Sequence, residues 1–349
     1  MGVASVNGLG GVLESILSGR GLDRGLVEGL ASEMLNGGLD DIAIAAILVA
    51  LRARGESADV IAGFASALRR ASVKIDTSGL DPIDTAGTGG DGSHTINAST
   101  SAAITAASIG ARVLKHGNRS VSSRSGSADF LESLGLTVSY GPERARCMLR
   151  EAGFAFAFAP AYHPAVKRVM PVRRRLGIRT VFNLVGPLAN PGLVRRQVLG
   201  VASQQLLKVM SEAALQLGFE RLLVVHGEPG IDEVSVTGPT KVVEVVRGRI
   251  EEYAIVPEDL GLRTLIPVRE LRVSSPEESA ARFLKAARGE GRPGDAAFIA
   301  ANSAAALYVA GLSRDFRDGF EASLQAMSEG RVYRFLEELR RAEGRCRLA

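Results

Sequence analysis

Two stretches of the chain, rich in glycine and hydroxyl residues, have the composition of phosphate-binding loops. The first, DTAGTGGDGSHTINAST, spans residues 84–100 and leads into a run of small residues that suits a closely packed helix. Its glycines are Gly87, Gly89, Gly90 and Gly92. Glycine lets the backbone turn sharply and approach a ligand without interference from a Cβ atom. The amides of such a loop and the N-terminus of the following helix both favour an anion, so we predict a phosphate site here.

The second stretch, KHGNRSVSSRSGS, spans residues 115–127 and combines glycine and serine with cationic side chains. Its cations are Lys115, Arg119 and Arg124. Asp129 and Glu132 follow with the spacing of a capping box, which predicts the start of a helix. A single loop of this kind is most often a flexible turn. Two such loops close together in sequence predict a ligand with more than one phosphate.

Adjacent carboxylates follow a later apolar segment of the chain. Leu222–Val225 is typical of a buried strand, and Asp232 and Glu233 come soon after it. Hard cations take oxygen ligands and bridge phosphate oxygens. An acidic turn alone is more often a solvated loop, but beside two phosphate loops the pair predicts a metal site. Ser99 and Thr100 could offer hydroxyls to the same metal.

Four strings in these stretches occur in the order found in one enzyme family. They are GTGGDG, INAST, KHGNR and SGSAD, and they lie between residues 87 and 129. This order resembles the anthranilate phosphoribosyltransferases, which join anthranilate to phosphoribosyl pyrophosphate (PRPP) in tryptophan biosynthesis. Strings of this length are far more specific than a lone glycine motif. The resemblance covers nearly the whole chain; Ala98 stands where the family usually has a larger aliphatic residue, which should leave the chemistry unchanged.

The resemblance implies a PRPP site with two Mg²⁺ ions. In the family the GTGGD loop binds the pyrophosphoryl group and the second loop completes the pocket. Ser99, Asp232 and Glu233 are the implied metal ligands. The implied PRPP-binding residues are Gly87, Thr88, Gly89, Gly90, Asp91, Thr95, Asn97, Ala98, Ser99, Thr100, Lys115, His116, Gly117, Asn118, Arg119, Ser120, Val121, Ser122, Ser123 and Ser127.

The resemblance also implies a pocket for anthranilate, a planar carboxylate that suits the fork of an arginine guanidinium. The implied residues are Gly87, His116, Asn118, Arg173, Gly186 and Pro187. The choice of Arg173 comes from alignment of HPAVKRVMPVRRRLGIRT with the family's pattern. Periodicity alone leaves Arg173, Arg174 and Arg175 open.

His116 and His163 are the residues that suggest a general base. An aromatic amine is uncharged at neutral pH and loses its proton late, so strong base catalysis is not required. Departure of pyrophosphate instead builds negative charge on the leaving group, which positioning and charge neutralisation can stabilise. We therefore name no certain catalytic residue and expect both histidines to shape the pocket, with a base role for His116 as the lesser alternative.

The N-terminal part of the chain is predicted to form a small helical domain. Leu26, Leu30 and Met34 recur at helical spacing, Gly37-Gly38 should end that helix, and Ser57 should cap a later one. We expect the apolar faces of these helices to form a core or a subunit contact. The predicted domains are a helical domain at 1–75, with a returning helical segment at about 163–190, and an α/β catalytic domain at 76–349.

Strands and helices alternate after the helical domain, which is typical of a mostly parallel sheet covered by helices. Predicted strands include Val113–Leu114, Thr137–Tyr140 and Phe154–Ala159, and Lys241–Arg247 with Ile250–Val256 should form a hairpin. Ligands of such sheets lie at the carboxyl ends of the strands, where both loops fall. The fold class is therefore α/β, and the resemblance implies the architecture shared by nucleoside phosphorylases and these phosphoribosyltransferases.

Composition narrows the class of protein without deciding its substrate. The chain has 349 residues, 46% hydrophobic and 23% charged, which is ordinary for a soluble globular protein. Its net charge of +4 fits an anionic small substrate or nucleic acid.

Cys147 and Cys346 show no CxxC spacing, so we predict no disulfide, no zinc site and a cytoplasmic location. The longest apolar run, Ile42–Leu51, is too short to span a membrane.

Two other functions compete with the resemblance. A pyrimidine nucleoside phosphorylase shares the fold and a similar glycine loop, but it uses free phosphate and does not need the acidic pair. A non-catalytic relative that binds nucleic acid should have eroded loop and metal residues, whereas both sets are intact here. We therefore expect small-molecule substrates and neither nucleic acid nor a membrane as partner. The resemblance also implies a homodimer formed through the helical domain.

Overall fold

The computed structural model describes residues 3–18, 22–119 and 126–348, and it begins with four helices. Asp23, Asp40 and Ser57 each cap a helix by accepting a hydrogen bond from a backbone amide of its first turn, as their side chains favour. Gly37 ends the second helix in the left-handed conformation, as predicted. The helices are α1 (Val3–Leu17), α2 (Arg24–Asn36), α3 (Asp41–Arg54) and α4 (Ala58–Ala71).

A seven-stranded sheet forms the centre of the larger part of the chain, in the order β3-β2-β1-β4-β5-β6-β7. The first five strands in this order are parallel, and β6 and β7 form the predicted antiparallel hairpin. The prediction of a mostly parallel sheet is confirmed. The strands are β1 (Ile83–Gly87), β2 (Val113–Gly117), β3 (Phe154–Phe158), β4 (Arg196–Gly200), β5 (Arg221–Gly227), β6 (Thr240–Val246) and β7 (Arg249–Ile255).

Strand β1 is the point at which the winding of the sheet reverses. It pairs with β2 on one side, where Ile83 lies opposite Val113, and with β4 on the other, where Gly87 lies opposite Gly200. The chain adds β2 and β3 in one direction before it returns to β4. A crevice forms at such a reversal, outside the carboxyl ends of the strands, and ligands bind there.

Helices cover both faces of the sheet. The described part of the chain contains no helix long and apolar enough to cross a membrane. The α-helices after α4 are α5 (Ala98–Ile109), α6 (Ser127–Ser133), α7 (Pro142–Ala152), α8 (Ala159–Tyr162), α9 (Met170–Leu176), α10 (Val181–Val185), α11 (Gln205–Gln216), α12 (Val268–Leu271), α13 (Pro276–Ala287), α14 (Pro293–Ala310), α15 (Phe316–Ser328) and α16 (Arg331–Arg345). Short 3₁₀ turns occupy Pro164–Arg168, Gly186–Leu188, Pro257–Leu260 and Cys346–Leu348.

Successive residues of the central strands point into two different cores, as the alternation of a pleated strand requires. Val198 and Leu223 pack into the core formed with α5 and α14. Leu199 and Leu222 pack into the core that contains the N-terminal helices and α11. The turn Pro164–Arg168, α9 and α10 pack against α2, α3 and α4, so this segment returns to the helical part. The exact domain boundaries stay a prediction.

The segment Thr137–Tyr140, predicted as a strand, is not part of the sheet. β3 is an edge strand, and the segment reaches it with a side chain rather than with its backbone. The Tyr140 hydroxyl accepts a hydrogen bond of 2.6 Å from the Phe156 amide, which the edge leaves free. The prediction of a strand at Thr137–Tyr140 was therefore wrong.

The two cysteines form a disulfide bond, so the prediction that they are unpaired was wrong. Cys147 of α7 and Cys346 after α16 are 199 residues apart in sequence, yet their Cα atoms lie 5.7 Å apart. Sequence spacing carries no information about this proximity, because packing of α16 against α7 creates it. The cysteines therefore no longer support a reducing compartment.

Loss of this bond should lower the stability of the fold and leave the cavity described below intact. Removing a native disulfide costs roughly 2–5 kcal/mol, which corresponds to a fall in Tm of roughly 3–7 °C for a chain of this size. We expect a reductant to lower the Tm of the wild-type protein by this amount in a thermal melt. The Cys147→Ala/Cys346→Ala variant should melt at the lower temperature with or without reductant. A wild-type Tm that does not change when reductant is added would contradict the stabilising role of the disulfide.

Candidate active site

A cavity of about 380 Å³ lies at the carboxyl ends of β1, β2 and β5 and brings most predicted site residues together. Thr100 does not line it, because its side chain is buried in α5. Ser120, Val121, Ser122 and Ser123 lie outside the described residues. The predicted PRPP residues that line the cavity are Gly87, Thr88, Gly89, Gly90, Asp91, Thr95, Asn97, Ala98, Ser99, Lys115, His116, Gly117, Asn118, Arg119 and Ser127.

The first glycine loop connects β1 to the N-terminus of α5. Gly89 and Gly90 have φ values of +62° and +79°, a left-handed conformation that favours glycine. Asn97 caps α5, since its side chain accepts a hydrogen bond of 3.1 Å from the Thr100 amide. The first residues of α5, Ala98 and Ser99, line the cavity. The loop and the N-terminus of α5 therefore line one space, which is the arrangement of an anion site.

Two further glycines make room for the acidic pair. A Cβ atom on Gly87, at the end of β1, would collide with the Asp232 carboxylate. A Cβ atom on Gly200, at the end of β4, would overlap the Asp232 carbonyl oxygen. Only glycine at both strand ends lets the segment after β5 lie this close to the first loop.

Buried side chains hold the backbone of that acidic segment in place. The Val234 amide donates a hydrogen bond of 2.9 Å to the Asn302 side chain, which donates back to the Val234 carbonyl at 3.0 Å. Asn302 belongs to the buried helix α14, and Gly227 and Ile231 close the turn after β5. The carboxylates of Asp232 and Glu233 therefore stand on a rigid support.

Three carboxylates, Asp91, Asp232 and Glu233, form a cluster in the cavity. One oxygen from each lies within 4.8 Å of the others. The Gly89 amide donates a hydrogen bond of 2.8 Å to Asp232. Burial, and next the charge of Asp91, raise the pKa of Asp232 to about 6. Burial, followed by the charges of Asp232 and Asp91, raises the pKa of Glu233 well above its ordinary value.

The carboxylate cluster has the chemistry of a site for a hard cation. An oxygen of Asp91 and one of Glu233 are buried without a hydrogen-bond partner, and the clustered charges repel one another. A divalent cation would satisfy these oxygens and reverse the repulsion, and an all-oxygen set suits Mg²⁺. Ser99, a predicted metal ligand, lines the same cavity. Sequence reasoning placed Asp91 in the phosphate loop and missed its proximity to the acidic pair.

Lys115 is buried beneath the cavity, with a side chain in one of the most enclosed positions of the described chain. Its ammonium donates to the Thr85 carbonyl and, at 3.3 Å, to the Ser99 hydroxyl. Burial lowers the pKa of Lys115 to about 8, opposed by the charges of Asp84 and Asp232. Lys115 therefore ties β2 to β1 and α5, which adds a structural role to the predicted binding role.

Arg119 forms ion pairs with the residues predicted as a capping box. Its guanidinium lies 2.8 Å from Asp129 and 2.6 Å from Glu132. The capping-box prediction was wrong, because the N-cap of α6 is Gly126 and no side chain caps it. Asp129 instead lies inside the first turn of α6. The two carboxylates partly neutralise the cation that the second loop presents.

His116 and His163 lie against each other, with ring centroids 5.0 Å apart. Burial, followed by the neighbouring His163 charge, lowers the pKa of His116 to about 3. Burial and then the charge of Lys74 lower the pKa of His163 to about 4. Both rings are therefore neutral at physiological pH. His116 lines the cavity, whereas His163 contacts the His116 ring and does not line it.

Arg173 lines the cavity, as do Gly186 and Pro187. Its guanidinium lies 5.2 Å from the centre of the Phe182 ring and 3.4 Å from the Asn183 side-chain oxygen. The neighbouring Arg174 and Arg175 are exposed. The structure thus brings one arginine of the three to the predicted anthranilate pocket.

Sequence reasoning missed several residues of this region. Phe182 and Asn183 line the cavity from α10, which lies in the segment predicted to return to the helical domain. Arg179 donates a hydrogen bond of 3.2 Å to the Gly89 carbonyl of the first loop. The basic composition of the segment pointed to an inward arginine, but only the packing of α9 and α10 shows which ones reach the loops.

The chain matches two family models. The description "Glycosyl transferase family, helical bundle domain" covers residues 11–72, and "Glycosyl transferase family, a/b domain" covers residues 80–333. The fold and the site define a glycosyl transferase in which a helical bundle lies beside an α/β domain. The predicted fold class is confirmed.

Relatives narrow this class further. An anthranilate phosphoribosyltransferase of Aeropyrum pernix is 53% identical over 94% of both chains. The crystal structure of the Thermus thermophilus enzyme of that name is 40% identical, with a TM-score of 0.88 over 96% of this chain and 99% of that one. The Saccharomyces cerevisiae enzyme in complex with PRPP and Mg is 26% identical, with a TM-score of 0.88 over 97% and 98%. The chain belongs to the anthranilate phosphoribosyltransferase family.

Proposed function

We propose that the cavity at the carboxyl edge of the sheet is the site at which this enzyme transfers the 5-phosphoribosyl group from PRPP to the amine of anthranilate. The products are N-(5-phosphoribosyl)anthranilate and pyrophosphate, and the reaction belongs to tryptophan biosynthesis. The observation that carries this proposal is the meeting of three parts in one cavity: the glycine loop, the carboxylate cluster and Arg173. A Saccharomyces cerevisiae relative with 4-fluoroanthranilate bound supports the choice of acceptor.

The reaction breaks the bond between the anomeric carbon and the pyrophosphate oxygen and forms a carbon–nitrogen bond to the amine. The leaving oxygen takes the bonding electron pair, so negative charge grows where the loop after β1 and the N-terminus of α5 offer backbone amides. The amine proton leaves to solvent after the new bond forms. With the pKa of His116 lowered to about 3 by burial, its ring is neutral and contributes shape to the pocket.

Two Mg²⁺ ions are the proposed metal complement, held by Asp91, Asp232, Glu233 and Ser99. Three carboxylates carry more negative charge than one divalent ion neutralises, which favours a second ion. When bound, the metal would neutralise charge on the pyrophosphoryl oxygens and couple them to a fixed support. Metal titration by calorimetry in the presence of PRPP should give two ions per chain. A stoichiometry of one ion per chain would refute the proposal of a second ion.

Arg173→Ala should mainly weaken the use of anthranilate. The guanidinium is half-buried beside Phe182 and lines the cavity together with Gly186 and Pro187, where it can bind a carboxylate. Loss of a charge-assisted hydrogen bond costs roughly tenfold to a hundredfold in affinity. We therefore expect KM for anthranilate to rise by about that factor, with little change in KM for PRPP. Steady-state kinetics with each substrate varied in turn measure both.

Arg174→Ala is the matched control for this prediction, since Arg174 is the next residue of the same helix and is exposed. This variant removes one arginine charge from the same helix, at a residue that does not line the cavity. Its KM values should match those of the wild type. Equal KM values for anthranilate in both variants would remove Arg173 from the acceptor pocket.

A homodimer formed through the helical domain is the proposed assembly, in the cytoplasm where the soluble substrates occur. Ile42 and Val49 lie on one face of α3 and are 78% and 41% exposed, so this face offers apolar surface to a partner. A second copy of the chain would cover them. Light scattering of the wild type should give twice the chain mass, and Ile42→Asp should shift the measured mass towards that of the monomer. A monomeric wild type would refute the proposed homodimer.

The stoichiometry of the products tests the reaction itself. One pyrophosphate should appear for each anthranilate consumed, and mass spectrometry should find the phosphoribosyl adduct. Phosphorolysis of pyrimidine nucleosides by the same preparation, without loss of anthranilate, would favour the phosphorylase alternative.

A further inference from the structure

Arg179 lies between the helical domain and the pyrophosphate loop, outside the set of residues assigned above. It precedes α10 and lines a small cavity of about 160 Å³ together with Arg52, Glu56 and Asn183. Glu56 lies in the turn between α3 and α4 of the helical domain. Asn183 lines both this cavity and the larger one. Arg179 is therefore placed where the two parts of the chain meet beside the site.

The guanidinium of Arg179 contacts the pyrophosphate loop directly. It donates a hydrogen bond of 3.2 Å to the Gly89 carbonyl. It also fills the space beside Gly90, where a Cβ atom would lie 3.1 Å from the Arg179 Nη1 atom. On the other side, the Gly89 amide donates to Asp232. Gly89 is thus held at its amide by Asp232 and at its carbonyl by Arg179.

The charge of Arg179 acts on carboxylates from both parts of the chain. It lowers the pKa of Glu56 and that of Asp232, in each case against a larger upward effect of burial. The Glu56 side chain is only 5% exposed and lies 4.0 Å from Arg52. Arg179 is itself exposed, so its hydrogen bond to the Gly89 carbonyl is the contact that holds it at the loop.

We infer that Arg179 is a positioning residue for PRPP, which orients the pyrophosphate loop and ties it to the helical domain through Glu56. The peptide bond is planar, and its C=O and N–H point in opposite directions. Anchoring the Gly89 carbonyl therefore fixes the direction of the Gly90 amide, one of the donors that the loop offers to the pyrophosphoryl group. This inference rests on the proposed function only in naming PRPP as the ligand.

The test is the affinity of the free enzyme for PRPP with Mg²⁺, measured by isothermal titration calorimetry without anthranilate. Arg179→Ala should raise Kd by about tenfold or more, because a charged donor to the loop is lost. Arg179→Lys should recover part of the affinity, since an ammonium can donate to the same carbonyl but lacks the fork. Glu56→Gln should have a smaller effect in the same direction.

Arg175→Ala is the control, because Arg175 is an exposed arginine close in sequence, and its Kd should equal that of the wild type. The thermal melting curve of Arg179→Ala should stay close to that of the wild type. A Kd for Arg179→Ala within twofold of the wild type would overturn the inference, as would a weaker affinity that Arg179→Lys does not improve. A wild type that binds PRPP without consuming anthranilate would instead refute the proposed acceptor and leave Arg179 in its role.

Discussion

Asp232→Asn and Glu233→Gln should each lower kcat by about a hundredfold or more, the usual loss when an electrostatic stabiliser is removed. Both changes keep the shape of the side chain and remove its charge. In Asp232→Asn the amide oxygen can still accept the hydrogen bond from Gly89, so the loop should keep its geometry. The loss should therefore appear in turnover and in the apparent affinity for Mg²⁺.

The stability of Asp232→Asn separates this effect from unfolding. Burial and the charge of Asp91 raise the pKa of Asp232 to about 6, so its negative charge at neutral pH is unfavourable in the metal-free fold. Removing that charge should leave the metal-free protein at least as stable as the wild type in a thermal melt. Glu228→Gln, a change at an exposed carboxylate of the same turn, should alter neither the turnover nor the thermal stability. Wild-type turnover in both acidic-pair variants would refute the metal site.

Lys115→Met should destabilise the fold as well as abolish activity. The Lys115 side chain is 1% exposed and Asp84 beside it is fully buried. Burial raises the pKa of Asp84 to about 6, and the charge of Lys115 acts to lower it. Removing one partner of a buried pair leaves the other charge uncompensated, which costs roughly 3–5 kcal/mol. Denaturant unfolding should show a loss of this size.

The Lys115→Met/Asp84→Asn variant is the informative control, because it removes both charges. It should be more stable than Lys115→Met alone, since the unpaired buried carboxylate is gone. Lys208→Met, at a lysine whose side chain is 74% exposed, should leave stability unchanged. A Lys115→Met protein as stable as the wild type would show that Lys115 serves the ligand alone.

Local patterns predicted the features that depend on neighbours in sequence. The cap at Ser57, the stop at Gly37 and the hairpin of β6 and β7 follow from residue type and periodicity. The parallel sheet follows from the alternation of strands and helices, and parallel strands bring their carboxyl ends to one edge. The meeting of both loops with Asp232 was therefore predictable once the fold class was known.

Features that depend on packing were not predictable in the same way. Cys147 meets Cys346 only because α16 packs on α7. Asp129 pairs with Arg119 rather than capping α6, and either use suits its sequence spacing. Asp91 joins the acidic pair because glycine at the ends of β1 and β4 lets the segment after β5 approach. Such contacts are set by distances between elements, about which local sequence says nothing.

The central claim is that this chain consumes anthranilate in a reaction that needs both PRPP and Mg²⁺. Anthranilate is fluorescent, so its loss can be followed directly with purified protein, PRPP and either Mg²⁺ or a chelator. We expect the fluorescence to fall with Mg²⁺ and PRPP together and to stay constant when either is left out. Constant fluorescence from folded protein with both present would contradict the claim.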